Sequence, residues 1–108
     1  MVKYLVKLRN VRKNKGGKVV VWLGVDYYPE QWDIDMLEQD LDTIVEMGCN
    51  VIRIAEFSWH MMEKAEGQYD FAFFDHVIEE AKKRKLKVIM GTPTATIPAW
   101  LGKKHPDI

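Results

Sequence analysis

Short apolar runs return three times in this chain, at residues 19–25, 51–55 and 87–91, each separated from the next by enough sequence for a helix. Continuous Val, Ile and Leu suit strands covered on both faces. Helix-length crossovers between such strands imply parallel pairing, so the expected order is strand–helix–strand–helix–strand. The intervening stripes agree with this. Ile34, Leu37, Leu41, Ile44 and Val45 recur at helical spacing across residues 33–47, with Asp33 as the expected cap and Gly48 as the stop. Phe74, Val77, Ile78 and Ala81 mark a second amphipathic helix, which ends in the cations Lys82-Lys83-Arg84-Lys85. Residues 61–70 read as a loop with a Gly turn, and a short apolar turn of helix precedes His105-Pro106.

The middle run is the unusual one. Val51-Ile52-Arg53-Ile54-Ala55 carries a permanent cation between apolar neighbours, then opens into Glu56-Phe57-Ser58-Trp59. An unpaired buried guanidinium is prohibitively costly, so Arg53 should face carboxylates or water-filled space. The carboxyl ends of parallel strands are where sites are built. All three runs exit into polar and aromatic residues: Asp26-Tyr27-Tyr28-Pro29-Glu30-Gln31-Trp32, Glu56 to Trp59, and Thr92-Pro93-Thr94-Ala95-Thr96-Ile97-Pro98-Ala99-Trp100. Gathered at one sheet edge, rings beside carboxylates suit a sugar, whose C–H faces stack while its hydroxyls need acceptors. The same rings would serve equally as packing.

Composition bounds the alternatives. At 108 residues there is room for one domain, and 47% apolar with 30% charged residues is globular rather than disordered. The net charge of zero gives no sign of a polyanionic partner. It hides an asymmetry, because residues 1–22 carry seven Lys or Arg and no acid, leaving nine bases against sixteen acids in the rest. Charges interrupt the apolar residues of that segment too often for a signal peptide or a membrane span. A nucleic-acid arm would interleave aromatics, and only Tyr4 is present. Residues 1–18 therefore read as a floppy basic extension that docks nowhere. Gly16-Gly17-Lys18 fails as a phosphate loop because it precedes a strand instead of following one. Asp35, Glu38, Asp40 and Asp42 lie mainly opposite the apolar stripe and read as a solvated face, not a metal cluster. The four cations at residues 82–85 read as a solvated helix end. The single cysteine, Cys49, excludes an internal disulfide and is compatible with a reducing, cytoplasmic setting.

Three motifs at matching spacing carry a resemblance. Leu23-Gly24-Val25-Asp26-Tyr27-Tyr28-Pro29-Glu30-Gln31-Trp32 resembles the opening of the β-galactosidases of glycoside hydrolase family 42. Val51 to Trp59 with Glu66-Gly67-Gln68-Tyr69-Asp70-Phe71 resembles that family's second strand and loop, and Gly91-Thr92-Pro93-Thr94-Ala95-Thr96-Ile97-Pro98-Ala99-Trp100-Leu101 its third. The resemblance covers residues 23–108, and the first 22 residues match nothing in it.

The resemblance implies an α/β fold, the first three βα units of a (β/α)8 TIM barrel, truncated, with residues 19–108 as the N-terminal part of the catalytic domain. It implies retaining hydrolysis of terminal, non-reducing β-D-galactose from small β-galactosides, without a cofactor and with no nucleic-acid or membrane partner. The full-length enzyme is then expected as a homo-oligomer, the family's form being a trimer. Retention requires two carboxyl groups roughly 5 Å apart. The family carries both as glutamates on later strands, so both, together with its cysteine-rich metal cluster, are expected beyond Ile108. No catalytic residue is assigned within the chain, which by itself should be inactive and poorly folded. Glu56 is a decoy at a strand end, and Asp26 and Glu30 are structural at most. Arg53 carries over as the arginine that hydrogen-bonds the nucleophile and keeps it ionised, and Trp59 and Trp100 as residues shaping the mouth. A non-catalytic βαβαβ carbohydrate-binding or interaction module, or another barrel glycosidase, are the competing readings.

Overall fold

The computed structural model describes residues 4–13 and 19–108, with side chains from residue 21 onward. In chain order the elements are β1 (Tyr4–Lys13), β2 (Val19–Asp26), two single 3₁₀ turns (Pro29–Gln31 and Ile34–Met36), and α1 (Leu37–Glu46). Then follow β3 (Val51–Ile54), α2 (Trp59–Met62), β4 (Glu63–Ala65), β5 (Gln68–Tyr69), α3 (Ala72–Lys83), β6 (Lys87–Met90) and α4 (Ala99–Lys104). The main sheet runs in the order β1-β2-β3-β6, with β2, β3 and β6 parallel, and the β4–β5 pair forms a separate small ribbon. The expected three strands and two crossover helices are all present.

Register sorts the strand residues onto two faces. Val25, Ile52 and Val88 lie side by side, as do Asp26, Arg53 and Ile89. The first row faces the helices and joins Leu37, Leu41 and Ile44 of α1 and Phe74, Val77 and Ala81 of α3 in one buried core. Alternation sends the second row to the opposite face, where Ile89 stays 38% exposed and the Arg53 side chain 43% exposed. The helices thus cover one face of the strands, while the other is open at Arg53 and Ile89 and closed at Val51, which is buried.

Gly24 makes the tight β2–β3 approach possible. A Cβ placed there would collide with the side chain and carbonyl oxygen of Val51, its partner in register. Gly24→Ala therefore forces two central strands apart and should cost about 1–3 kcal/mol, the range for overpacking a filled interior. A lower urea midpoint with an unchanged slope is the expected reading, and an unchanged midpoint would show that the sheet relaxes freely.

Several expectations needed correction. The extension read as undocked contributes β1, which pairs antiparallel with β2 from Tyr4↔Asp26 to Lys13↔Val19, with a register shift between Leu8 and Arg12. Two β-compatible runs flanking Gly16-Gly17 are a hairpin signal that the phosphate-loop comparison obscured. The remaining residues of that extension lie outside the described ones. Asp33 caps nothing with its side chain, because the helix is entered through a 3₁₀ turn rather than directly. That turn breaks the periodicity, so Ile34 is exposed, as are Val45 and Ile78 at the margins of their stripes. Residues 61–70 hold a short helix end and the β4–β5 ribbon, turned by Gly67 at φ +76°.

The acidic face and the basic helix end are not simply solvated. Asp40 accepts the Tyr27 hydroxyl at 2.8 Å. Arg84 donates to Asp42 at 2.6 Å, to Glu80 Oε2 at 2.9 Å and to the carbonyls of Glu80 and Glu38. One guanidinium thereby clamps α3 to α1, using the fork geometry that a lysine lacks. Its Glu80 partner is buried, and donation from Lys83 and Arg84 holds that carboxyl below its ordinary pKa.

Candidate functional site

The three parallel strands deliver their exits to one edge, as expected. First and second exits meet where the Tyr28 hydroxyl donates to Glu56 Oε2 at 3.0 Å and the Tyr28 and Phe57 rings pack at 5.6 Å. Ser58, fully buried, donates to Glu30 Oε1 at 2.9 Å across the same pair of loops. The third exit joins through Gly91 N–H to the Ile54 carbonyl (3.0 Å) and Thr96 Oγ1 to the Phe57 carbonyl (3.3 Å).

A local distortion aims the central carboxylate. Ala55 sits at φ +72°, a left-handed conformation that costs a residue with a Cβ about 1–2 kcal/mol. It turns the chain out of the sheet, and Ser58 N–H closes the turn on the Ala55 carbonyl at 3.2 Å. Glu56 is swung back over its own strand, where Oε1 meets Arg53 at 3.4 Å. Both oxygens of Glu56 are thus engaged, one by a cation and one by a phenol. Burial, followed by donation to Glu56, pushes the Tyr28 hydroxyl up to about 12, so it remains a proton-bearing donor at neutral pH. Burial does the same to Tyr27, reinforced by its bond to Asp40.

Arg53 is therefore not isolated. It lies on the face away from the helices, between Asp26 and Ile89 in register, partly open and tethered at one end. Such a guanidinium keeps donors free for an anionic group approaching that face. Asp26 Oδ1 and Glu30 Oε2, by contrast, are buried without a hydrogen-bond partner among the described residues. Tyr28 and Ser58 were not singled out from the sequence, and Glu30 was read only as structural at most. Their signal was present in the cluster of polar residues at two successive strand exits, but which pairs meet depends on the Ala55 turn.

Trp59 and Trp100 converge elsewhere, on Glu63. Trp59 Nε1–H donates to Glu63 Oε2 at 2.8 Å and Trp100 Nε1–H to the Glu63 carbonyl at 2.8 Å, while Gly67 N–H reaches Oε1 at 2.9 Å. Both rings are half-buried. Glu63 is 9% exposed and ties α2, the ribbon turn and the start of α4 together. The Trp59 and Gly67 donors hold its carboxyl below the ordinary value of 4.5. A depressed folded pKa stabilises the fold above the ordinary carboxylate range, and that contribution is lost as pH falls through the lower folded value. Glu80 titrates with the same sign. Stability should accordingly fall between neutral pH and about pH 3.5, and Glu63→Gln should both lower it at neutral pH and flatten the acid loss. Urea midpoints at the two pH values check this. An equally steep loss in the variant would remove Glu63 from the account.

Among the described residues no group of three or more His, Cys, Asp or Glu is arranged to hold a metal. Cys49 is buried, and burial raises its thiol pKa. No helix among the described residues is long and apolar enough to cross a membrane.

Comparison with known proteins places these observations in context. The profile of glycoside hydrolase family 42, described as beta-galactosidase, matches residues 26–108. The beta-galactosidase BgaA of Clostridium cellulovorans is 49% identical over 85 residues, covering 79% of this chain and 13% of the relative. The solved structure of the polyextremophilic beta-galactosidase from the Antarctic haloarchaeon Halorubrum lacusprofundi superposes with a TM-score of 0.74 at 38% identity, over 79% of this chain and 13% of that one. The beta-galactosidase structure from Bacillus circulans sp. alkalophilus gives 0.73 at 37% identity, over 77% and 12%. The chain thus spans about 13% of the length of the curated relatives it matches.

Proposed function

We propose, from the premise that the chain belongs to glycoside hydrolase family 42, that it supplies the opening part of the catalytic barrel of a retaining β-galactosidase. Residues 19–108 are the first three βα units of that barrel, and residues 1–18 are a basic extension ahead of it. The substrate is a small-molecule glycoside with a terminal β-D-galactose, and the working enzyme is a cytoplasmic homo-oligomer.

The observation that carries this reading is the setting of Arg53. It is a cation on the sheet face turned away from the helices, with its side chain both tethered to Glu56 and partly open. In a closed barrel that face is the interior, and the strand exits form the catalytic mouth. There Arg53 would hydrogen-bond the nucleophilic carboxylate, supplied by a later strand, and favour its ionised form. Glu56 would orient Arg53, and Tyr28 would hold the second oxygen of Glu56. Trp59 and Trp100, pinned by Glu63, would form part of the wall of the mouth. The two carboxyl groups that retention requires are assigned to neither Glu56 nor Glu63, since the oxygens of each are already engaged by donors within the chain.

A chimera tests the proposal. Residues 26–108 would replace the matching segment of the Clostridium cellulovorans relative, which is 49% identical there. Release of a chromogenic aglycone from a β-galactoside at a rate near the parent's is expected. A chimera that melts like the parent but releases none would reject the catalytic reading, and one that still bound galactose would favour the binding-module alternative.

A further inference from the structure

The outer edge of β2 is occupied, and the occupant bears on how a barrel could form. Leu23 spends both backbone groups on Asn50, its N–H on the side-chain oxygen (2.9 Å) and its carbonyl on the backbone N–H (2.8 Å). Tyr27 N–H continues on that side to the Arg53 carbonyl at 2.8 Å. Backbone groups alternate sides along a strand, so Leu23, Val25 and Tyr27 face β3, whereas Trp22, Gly24 and Asp26 face outward. Opposite those three, in antiparallel register, stand Leu8, Val6 and Tyr4 of β1. A closed parallel barrel leaves no strand with a free edge, and it must use this same edge of its first strand to receive its last.

We propose that residues 4–13 are an edge-capping strand that occupies the closing edge of the barrel, so that docking of β1 and closure exclude one another. The sequence of β1 suits the outermost position. Lys7, Arg9, Arg12 and Lys13 fall within its ten residues, and a strand dense in cations discourages addition of a further strand. Its antiparallel direction also distinguishes it from a displaced barrel strand, every one of which runs parallel to β2. The family match begins at residue 26, so nothing in that match accounts for β1.

Amide hydrogen exchange on residues 1–108 and on Val6→Pro tests this. Proline removes the N–H opposite Gly24 and leaves every residue from 14 onward unchanged. In the unaltered chain Trp22, Gly24 and Asp26 should be protected. In Val6→Pro they should exchange at least roughly tenfold faster while Val25 and Tyr27, which face β3, keep their protection. Equal exchange at Trp22, Gly24 and Asp26 in both proteins would overturn the cap. Loss at Val25 and Tyr27 as well would make β1 an integral strand and overturn its removal on closure. Residues 1–18 fused ahead of the complete Clostridium cellulovorans relative should exchange at unstructured rates, because the last barrel strand already holds the edge. Protection of Tyr4–Lys13 in that fusion would overturn the exclusion.

Discussion

Arg53→Ala, made in the chimera with the Clostridium cellulovorans relative, should lower kcat by roughly 10²–10³-fold, about 3–4 kcal/mol of transition-state stabilisation, while KM changes little. The guanidinium projects from the sheet face that a barrel encloses, and Glu56 and the Tyr28–Phe57 pair restrict where its head can go. An interaction with a nucleophile whose charge is redistributed in the transition state affects turnover more than ground-state binding. Two further readings separate this role from bracing. Removal of a neighbouring cation raises a carboxylate's pKa, so the acid limb of the kcat/KM profile should move to higher pH in the variant. Arg53→Lys should recover part of the loss, since it restores the charge without the fork. A variant with normal turnover and an unmoved acid limb would reduce Arg53 to scaffolding.

Residues 1–108 alone should hydrolyse no β-galactoside. Retention needs one protonated and one ionised carboxyl roughly 5 Å apart on opposite sides of the scissile bond. Glu56 is engaged by Arg53 and Tyr28, and Glu63 by Trp59 and Gly67. Glu30 is held by Ser58 through one oxygen only, and Asp26 Oδ1 has no hydrogen-bond partner among the described residues. The family resemblance assigns the pair to none of these four. Without a nucleophile and an acid, the factor of a millionfold or more that separates an enzyme from water has no source. Release of a chromogenic aglycone by the purified chain, abolished by Glu56→Gln, would place half of the pair within this segment. The open interior face and the outer edge of β6, where Ile89 and Met90 are 38% and 44% exposed, also predict association of the isolated chain, readable by light scattering. The edge of β2 does not contribute to this, because β1 covers it and moves the sheet's outer edge on that side onto a strand dense in cations, Lys7, Arg9, Arg12 and Lys13.

The alternation of apolar runs with helical stripes was enough to place β2, α1, β3, α3 and β6, because burial on both faces and a 3.6-residue period each leave a direct mark on residue order. The three exits were legible for the same reason: a strand that leaves the sheet stops being apolar. Arg53 was legible because a cation inside an apolar run has few affordable surroundings. What its head group touches was not. That depends on Ala55 adopting φ +72°, and an alanine gives no local sign of a left-handed turn. Trp59 and Trp100 were legible as large residues near the exits, but their shared attachment to Glu63 joins positions far apart in sequence.

Local order along the chain determined the class of fold, the direction of the strands and the edge at which their polar and aromatic exits gather. Tertiary structure decided which polar groups spend their hydrogen bonds on one another. It turned an apparently solvated acidic face into partners for Tyr27 and Arg84, and an apparently loose extension into the strand along β2. The reason is one of range. Hydrophobic periodicity is written over neighbouring residues, whereas hydrogen-bond partners and sheet edges are chosen among residues that only the folded chain brings within 3 Å of each other.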